Sequence, residues 1–170
     1  MQNSRLIDEE QRVFSVLDIV NIALFEGYQW QGEDIKETTA VGSVFHAYEN
    51  PSTQSVASLT VVDVTSDASE PDISQVEQAD VQEIDEQLRA AVAVHFDLVR
   101  WMSSKLNQAA TLKALVTLYI TNDAGAQWQY IALRLSTKGR KLVVIGMFDV
   151  AKSDVLAGAV YQTMQNISLS

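Results

Sequence analysis

Residues 111–150, TLKALVTLYITNDAGAQWQYIALRLSTKGRKLVVIGMFDV, decide the fold that the sequence predicts. Three runs rich in β-branched, aromatic and other apolar residues, 111–121, 128–136 and 141–150, are separated by two polar connectors that contain glycine. The connectors, Asn-Asp-Ala-Gly and Thr-Lys-Gly-Arg, have the composition of β-hairpin turns. This stretch therefore predicts three antiparallel strands in a meander.

Further elements are predicted on both sides of the meander. A closing helix is expected at about 152–166, because apolar residues recur there at helical spacing. Its apolar face comprises Leu156, Val160, Met164 and Ile167. Upstream, the runs 38–48 and 55–65 read as strands, and the turn formers of 49–52 between them predict a hairpin.

A central helix is predicted between the hairpin and the meander. Ser74-Gln75-Val76-Glu77 has the pattern of a capping box, in which the serine and glutamate side chains satisfy free backbone N–H groups at a helix start. Apolar residues then keep helical spacing from Val81 to Val99, and the spacing extends to Leu106. Either the helix continues to Leu106, or it breaks near Phe96-Asp97 and 98–102 form a strand.

The amino-terminal region is ambiguous, because Val20, Ile22 and Leu24 fit both a helical and an alternating pattern. We predict an early helix and a late strand, ending in a turn at Glu26-Gly27. Helices and strands are then segregated along the chain, which favours an antiparallel sheet with helices packed on it. The prediction is one α+β domain spanning residues 1–170.

Charge and composition exclude several classes of function. The net charge of −10 argues against nucleic acid as a partner, and the absence of cysteine removes disulfides and thiolate chemistry. No run reaches the ~20 apolar residues of a membrane span. Residues 1–97 carry nineteen acidic and four basic residues, whereas residues 98–170 carry three acidic and eight basic ones. This asymmetry points to recognition through surface charge.

Two charged clusters are the candidate binding residues. The acidic face of the central helix, with Asp80, Glu83 and Glu86, could dock a basic partner or be an ordinary solvated face. Lys138, Arg140 and Lys141 surround Gly139 and could hold an anion, although hairpin tips are commonly charged.

Catalytic chemistry is not indicated. His46 and His95 have no local partner, and the phosphate-binding and nucleophile-elbow patterns do not occur. We therefore expect no enzyme activity, no metal and no cofactor. Of Trp30, Trp101 and Trp128, at least two are expected in the core.

The residues Ile22-Ala23-Leu24-Phe25-Glu26-Gly27-Tyr28, the strand pair before the central helix, and the meander before a closing helix together resemble the Mog1p/PsbP-like superfamily, which includes bacterial DcrB-like proteins. Phe25 stands where that family usually has proline. The resemblance implies an α/β/α sandwich around an antiparallel sheet, and binding to another macromolecule rather than catalysis. A second, lesser likeness is to small acidic type III secretion chaperones.

The leading functional hypothesis is thus a non-enzymatic protein-interaction module, such as a secretion-associated chaperone or an accessory or adaptor protein. The alternative is a small-molecule or lipid carrier with a pocket between the sheet and the central helix. A protein partner is expected and the oligomeric state stays open. The sequence as it begins suggests a cytoplasmic protein, or a periplasmic or lipoprotein-derived one if an export signal has been removed.

Overall fold

The computed structural model describes residues 4–8, 13–24, 29–36, 41–48, 57–109, 112–151 and 154–169. Within them the chain forms eleven strands in two antiparallel sheets, with two α-helices, so the predicted α+β class is confirmed. The large sheet has seven strands in the order β4-β5-β6-β10-β9-β8-β7. Its strands are β4 Gln29–Lys36, β5 Val41–Tyr48, β6 Ala57–Asp63, β7 Asp97–Ala109, β8 Leu112–Asp123, β9 Ala126–Thr137 and β10 Arg140–Asp149.

The small sheet and the helices lie against this large sheet. The small sheet is formed by β1 Ser4–Asp8, β2 Val13–Val16, β3 Val20–Ala23 and β11 Ser168–Leu169. The helices are α1 Val81–His95 and α2 Asp154–Gln165, and two short 3-10 helices, Ile73–Gln75 and Gln78–Asp80, precede α1. The closing helix is therefore confirmed, with Val160, Met164 and Ile167 buried as predicted.

The predicted meander is confirmed as β8, β9 and β10. Both of its connectors are two-residue turns with positive φ at each position, Ala124 and Gly125 at 50° and 83°, and Lys138 and Gly139 at 53° and 75°. Two successive positive φ angles define the turn type whose twist matches antiparallel strands. The predicted hairpin is also found, since β5 pairs antiparallel with β6, while residues 49–56 lie outside the described residues.

The large sheet is covered on both faces. One face packs against the small sheet and α2, and this core contains the fully buried Phe45, Leu59 and Val144. The opposite face packs near the β7 edge against α1 and the 3-10 helices, in a smaller core around Ile73 and Leu115. Because successive strand residues point to opposite faces, Ala114 belongs to the first core and Leu115 to the second.

The central helix begins later and ends earlier than the longer prediction. α1 starts at Val81, because Ser74 does not cap it: its backbone N–H and hydroxyl both donate to the Asp72 carboxylate in a 3-10 turn. The capping box lies instead at Glu77 and Asp80. The alternative with a break near Phe96 is confirmed, and the strand that follows, β7, is 13 residues long.

The predicted early helix is wrong. β1, β2 and β3 form a meander there, and only the late strand, Val20–Ala23, matches the prediction. The turn predicted at residues 26–27 lies outside the described residues. β4 was not predicted, because Gly32, Glu33 and Asp34 lie in its middle. Glycine and acidic residues are uncommon in strands.

The tryptophans are less buried than predicted. Trp30 is 4% exposed and belongs to the main core, whereas Trp101 and Trp128 are only half-buried. The half-buried pair lies on β7 and β9.

Candidate functional site

An open apolar groove lies between α2 and the β7–β9 part of the large sheet. Its volume is about 440 Å³. The even-numbered residues of β8 form its floor because they share the face that looks toward α2. Its lining consists of Asn107, Leu112, Ala114, Val116, Leu118, Ile131, Leu133, Tyr161, Met164, Gln165 and Ile167.

The groove exists because α2 sits to one side of the sheet. A Cβ at Gly146 would lie 2.8 Å from Val160 Cγ1 and 3.4 Å from Met164, so the bare glycine lets α2 approach β10 closely. β8 and β7 are left largely uncovered on that face. Tyr161 is 37% exposed at the helix side of the groove, and Met102, opposite Leu118 in the strand register, is 44% exposed at the far side.

The opposite face, where the sequence-based alternative placed a pocket, is occupied by packed side chains. Ile73, Val76, Val81 and Leu115 are buried together beneath the 3-10 helices and the start of α1. Asp85 of α1 accepts hydrogen bonds from Trp101 Nε1 at 3.1 Å and from the Ser104 backbone N–H at 2.6 Å. These bonds fix α1 on the edge strand β7.

The predicted acidic residues point away from the sheet. Glu83 and Glu86 are exposed on α1, and Asp80 is exposed at the end of the 3-10 helix that directly precedes it. Asp80 also accepts a hydrogen bond from the Glu77 backbone N–H, at 2.9 Å, so it has a structural role at the helix start. The three residues therefore lie close together along the chain but away from the groove, which is on the other side of the sheet.

The predicted basic residues are brought together at the β9–β10 turn. Lys138, Arg140 and Lys141 line a cavity of about 310 Å³ with hydroxyl groups of neighbouring serines and threonines and with Asp72. Arg140 pairs with Asp63 at 2.6 Å. Lys141 Nζ donates to the backbone oxygens of Asp67 and Glu70, at 2.5 and 2.9 Å. Arg140 and Lys141 are therefore already engaged by a carboxylate and by backbone oxygens of acidic residues of the same chain, which disfavours binding of a free anion by these two side chains.

The acidic residues that contact Arg140 and Lys141 belong to one segment, residues 63–76, which we call the acidic connector. It contains three Asp-x-Ser/Thr sequences that begin at Asp63, Asp67 and Asp72. In each, one aspartate oxygen accepts hydrogen bonds from the backbone N–H and the hydroxyl two residues later, which forms an Asx turn. The repeated pattern was readable in the sequence and was missed.

These hydrogen bonds change the acidity of the three aspartates. Partial burial alone would raise the pKa of Asp63, but the bonds from Thr65 and Arg140 outweigh it, so the pKa lies below its ordinary value. The Ser69 hydroxyl lowers the pKa of Asp67, and the Ser74 hydroxyl lowers that of Asp72. The carboxylates are therefore held in their charged form.

Both histidines, Tyr119 and Tyr130 lie outside the lining of the groove. His46 lies on β5 with Nε2 3.5 Å from Glu33 Oε1, and His95 is the exposed last residue of α1. Trp101, Tyr119 and Tyr130 form a stack with centroid spacings of 5.2 and 4.8 Å. Burial, with a smaller contribution from Tyr130, raises the pKa of Tyr119 to about 12, so its phenol stays neutral.

The described residues show neither a metal-binding cluster nor a membrane-spanning helix. Across the described ranges, histidine, aspartate and glutamate side chains do not gather in groups of three that could hold a metal ion. In the same part of the chain, neither helix has the length and apolar character needed to cross a bilayer.

Comparison with known proteins gives few relatives. No protein-family model matches the chain, and no curated protein matches it. Among solved structures, the chain is similar to that of PA94, a protein of unknown function from Pseudomonas aeruginosa, with 12% sequence identity and a TM-score of 0.47. The match covers 84% of this chain and 83% of that one. A likeness at this level carries no functional argument.

Proposed function

We propose that this protein is a non-enzymatic protein-interaction module of Mog1p/PsbP-like fold that holds an apolar segment of a partner protein in the groove beside α2. A secretion-associated chaperone or an adaptor would use such a surface. The observation that carries the proposal is the groove itself, whose floor of Val116, Leu118 and Ile131 is apolar and open along one side.

The layering of the fold is compatible with the family part of the proposal. The large sheet lies between α1 on one face and α2 on the other, as in an α/β/α sandwich, with the small sheet added beside α2. The order of a central helix, a three-stranded meander and a closing helix is the order that suggested the family from sequence.

The groove suits an apolar segment better than a polar one. Val116 and Leu118 are only half-buried, so covering them removes further apolar area from water. Such burial contributes roughly 25 cal/mol per Å², and apolar patches left open on a protein commonly mark interaction sites. Asn107 and Gln165 at the rim can bond the backbone or polar side chains of the occupant.

A matched pair of variants tests the groove. Val116→Glu places a charge on the groove floor, whereas Val94→Glu makes the same change at a position of α1 that is 77% exposed. Each protein serves as bait in lysate of the source organism, and the captured partner is then purified and titrated directly. We expect Val116→Glu to weaken binding about 30-fold or more, since an unpaired charge is costly to bury, and Val94→Glu to bind as the wild type does.

Equal affinities of both variants would refute the groove as the binding site. Circular dichroism and urea unfolding of Val116→Glu establish that the variant is folded before binding is compared. A triple change of Asp80, Glu83 and Glu86 to lysine tests the acidic face separately. Loss of binding in that variant alone would move the interface to α1.

The volume of the groove favours the carrier as the second candidate function. About 440 Å³ falls in the range of small-molecule sites, roughly 300–1,000 Å³, which are also mainly apolar with a few polar groups. If the protein is a carrier, we expect a small molecule or lipid to remain bound in the groove during purification. Native mass spectrometry of freshly purified protein would show an adduct in the wild type and lose it in Val116→Glu, and an adduct-free wild type would count against this function.

A further inference from the structure

Basic residues of the meander hold the acidic connector on the sheet. Arg134 Nε of β9 donates to Glu70 Oε2 at 3.0 Å, and both side chains are less than one-fifth exposed. From β10, Lys141 donates to two backbone oxygens of the connector, and Arg140 pairs with Asp63, the last residue of β6, where the connector leaves the sheet. From β8, Lys113 Nζ lies 3.4 Å from the Ser74 backbone oxygen. Three strands thus contact the connector through cations.

Apolar contact holds only the carboxy-terminal end of the connector. Ile73 and Val76 are its buried apolar residues, and they join Leu115 in the smaller core. Residues 65–69 are exposed. Segments with few buried apolar contacts and exposed backbone hydrogen bonds open at lower free energy than the core of the same protein.

We propose that the acidic connector is a charge-locked strap, which opens as a unit before the sheet unfolds when its contacts to Arg134, Arg140 and Lys141 are screened or removed. Opening withdraws Ile73 and Val76 and bares Leu115, which is fully buried in the closed state. It also frees the start of α1, because the helix begins at Val81, five residues after Val76. Opening of the acidic connector does not involve the groove, which lies on the opposite face of the large sheet.

Hydrogen exchange of the whole chain tests the strap. The amides of Ile73, Gln75 and Val76 report closure, since they donate to Ser136 Oγ and to the Asp72 and Ile73 backbone oxygens. In the wild type, raising sodium chloride from about 0.02 M to about 0.5 M should speed their exchange only about twofold, because salt screens the more exposed Arg140 contact and acts more weakly on the largely buried Arg134–Glu70 pair. Amides of β8, β9 and β10 should keep their rates.

Variants identify the lock. Glu70→Gln removes the charge from the connector side without touching the sheet, and Arg134→Gln removes it from β9. Each variant should speed amide exchange at Ile73, Gln75 and Val76 about tenfold at low salt. A factor of this size corresponds to the loss of one charge-assisted hydrogen bond. Arg89→Gln, at an exposed position of α1, removes a charge of the same kind and should leave those amides unchanged.

The proposal is overturned if connector amides exchange as slowly as the β9 core at every salt concentration. It is also overturned if Glu70→Gln accelerates the β9 amides as much as those of the connector, because the segment would then unfold with the sheet. Should Arg134→Gln fold poorly, Glu70→Gln and the salt series decide the question on their own.

Discussion

Gly146 sets the distance between α2 and the sheet, and with it the depth of the groove. The space over its Cα is filled by Val160 Cγ1 at 2.8 Å from an ideal Cβ position. Gly158, two residues before Val160 on α2, has open space around it instead. The same type of residue therefore has opposite consequences at the two positions.

We predict that Gly146→Ala destabilises the protein by about 1–3 kcal/mol, because an extra methyl group overpacks the helix–sheet contact. Gly158→Ala should stabilise it by about 0.5–1 kcal/mol, since alanine restricts the unfolded chain and favours the helix. Urea unfolding of both variants measures the two effects. A destabilising Gly158→Ala, or a neutral Gly146→Ala, would contradict this account of how α2 packs.

The turn residues Ala124 and Gly125 carry a second prediction. Both have positive φ, and a Cβ at Gly125 meets no atom within 4 Å, so only backbone strain opposes a substitution there. Gly125→Ala should cost about 1 kcal/mol in the free energy of unfolding, whereas Ala124→Gly should gain a similar amount. If Gly125→Ala is neutral in urea unfolding, the turn has a different conformation.

Residue-level prediction from sequence succeeded where local chemistry decides. Glycine in a two-residue connector and the apolar spacing of Val160 and Met164 lead to the observed turns and helix face. It failed at Ser74, because serine can cap a helix or bond a preceding aspartate, and Asp72 lies two residues before it. Sequence alone does not rank these two local alternatives.

At the scale of the elements, the acidic connector contains three aspartates whose lowered pKa values make its stability depend on pH. The pKa values of Asp63, Asp67 and Asp72 are lowered, so their hydrogen bonds favour the charged form. Such a group stabilises the folded state fully above its unfolded pKa, about 3.9 for aspartate, and the contribution is lost as the pH falls through the lowered pKa. The other charged groups near these aspartates are those that contact the connector or line the cavity beside it: Lys113, Arg134, Lys138, Arg140, Lys141 and Glu70.

We therefore predict that protection of the connector amides falls as the pH drops from about 5 to about 3. The basic groups stay charged throughout, so the change comes from the carboxylates. Asp72→Asn keeps an oxygen acceptor without a titrating group and should flatten the profile, whereas Glu83→Gln on α1 should not. Hydrogen exchange corrected for the intrinsic pH dependence gives the profile, and one that is the same in all three proteins would contradict the prediction.

Elements were predicted well where burial imposes a pattern and poorly where it does not. The meander strands alternate between a buried and a less buried face, and all three were found. β4 is an edge strand whose residues Gln31 to Asp34 are exposed, so it shows no alternation. The groove was not foreseen either, because it depends on where α2 lies across the sheet and not on the pattern of α2 itself.

At the scale of the whole molecule, part of the charge asymmetry of the sequence is matched inside the fold. β6, from the acidic half, pairs with β10, from the basic half, and the acidic connector folds onto the meander. Glu70 and Arg134 are 64 residues apart in sequence, and Asp63 and Arg140 are 77 apart. No local pattern could have shown that these opposite charges are each other's partners.

This arrangement predicts opposite effects of salt on the whole fold and on the connector. The net charge of −10 repels itself in the compact state, and salt screens that repulsion, whereas exposed ion pairs each contribute at most about 1 kcal/mol. The free energy of unfolding in urea should therefore rise between about 0.02 M and about 0.2 M sodium chloride while connector protection falls. The double variant Glu83→Gln, Glu86→Gln makes the net charge less negative and should reduce this salt-dependent rise in the free energy of unfolding. Lys105→Gln makes the net charge more negative and should enlarge it. A free energy of unfolding that falls with salt would mean that the internal pairs outweigh the net charge.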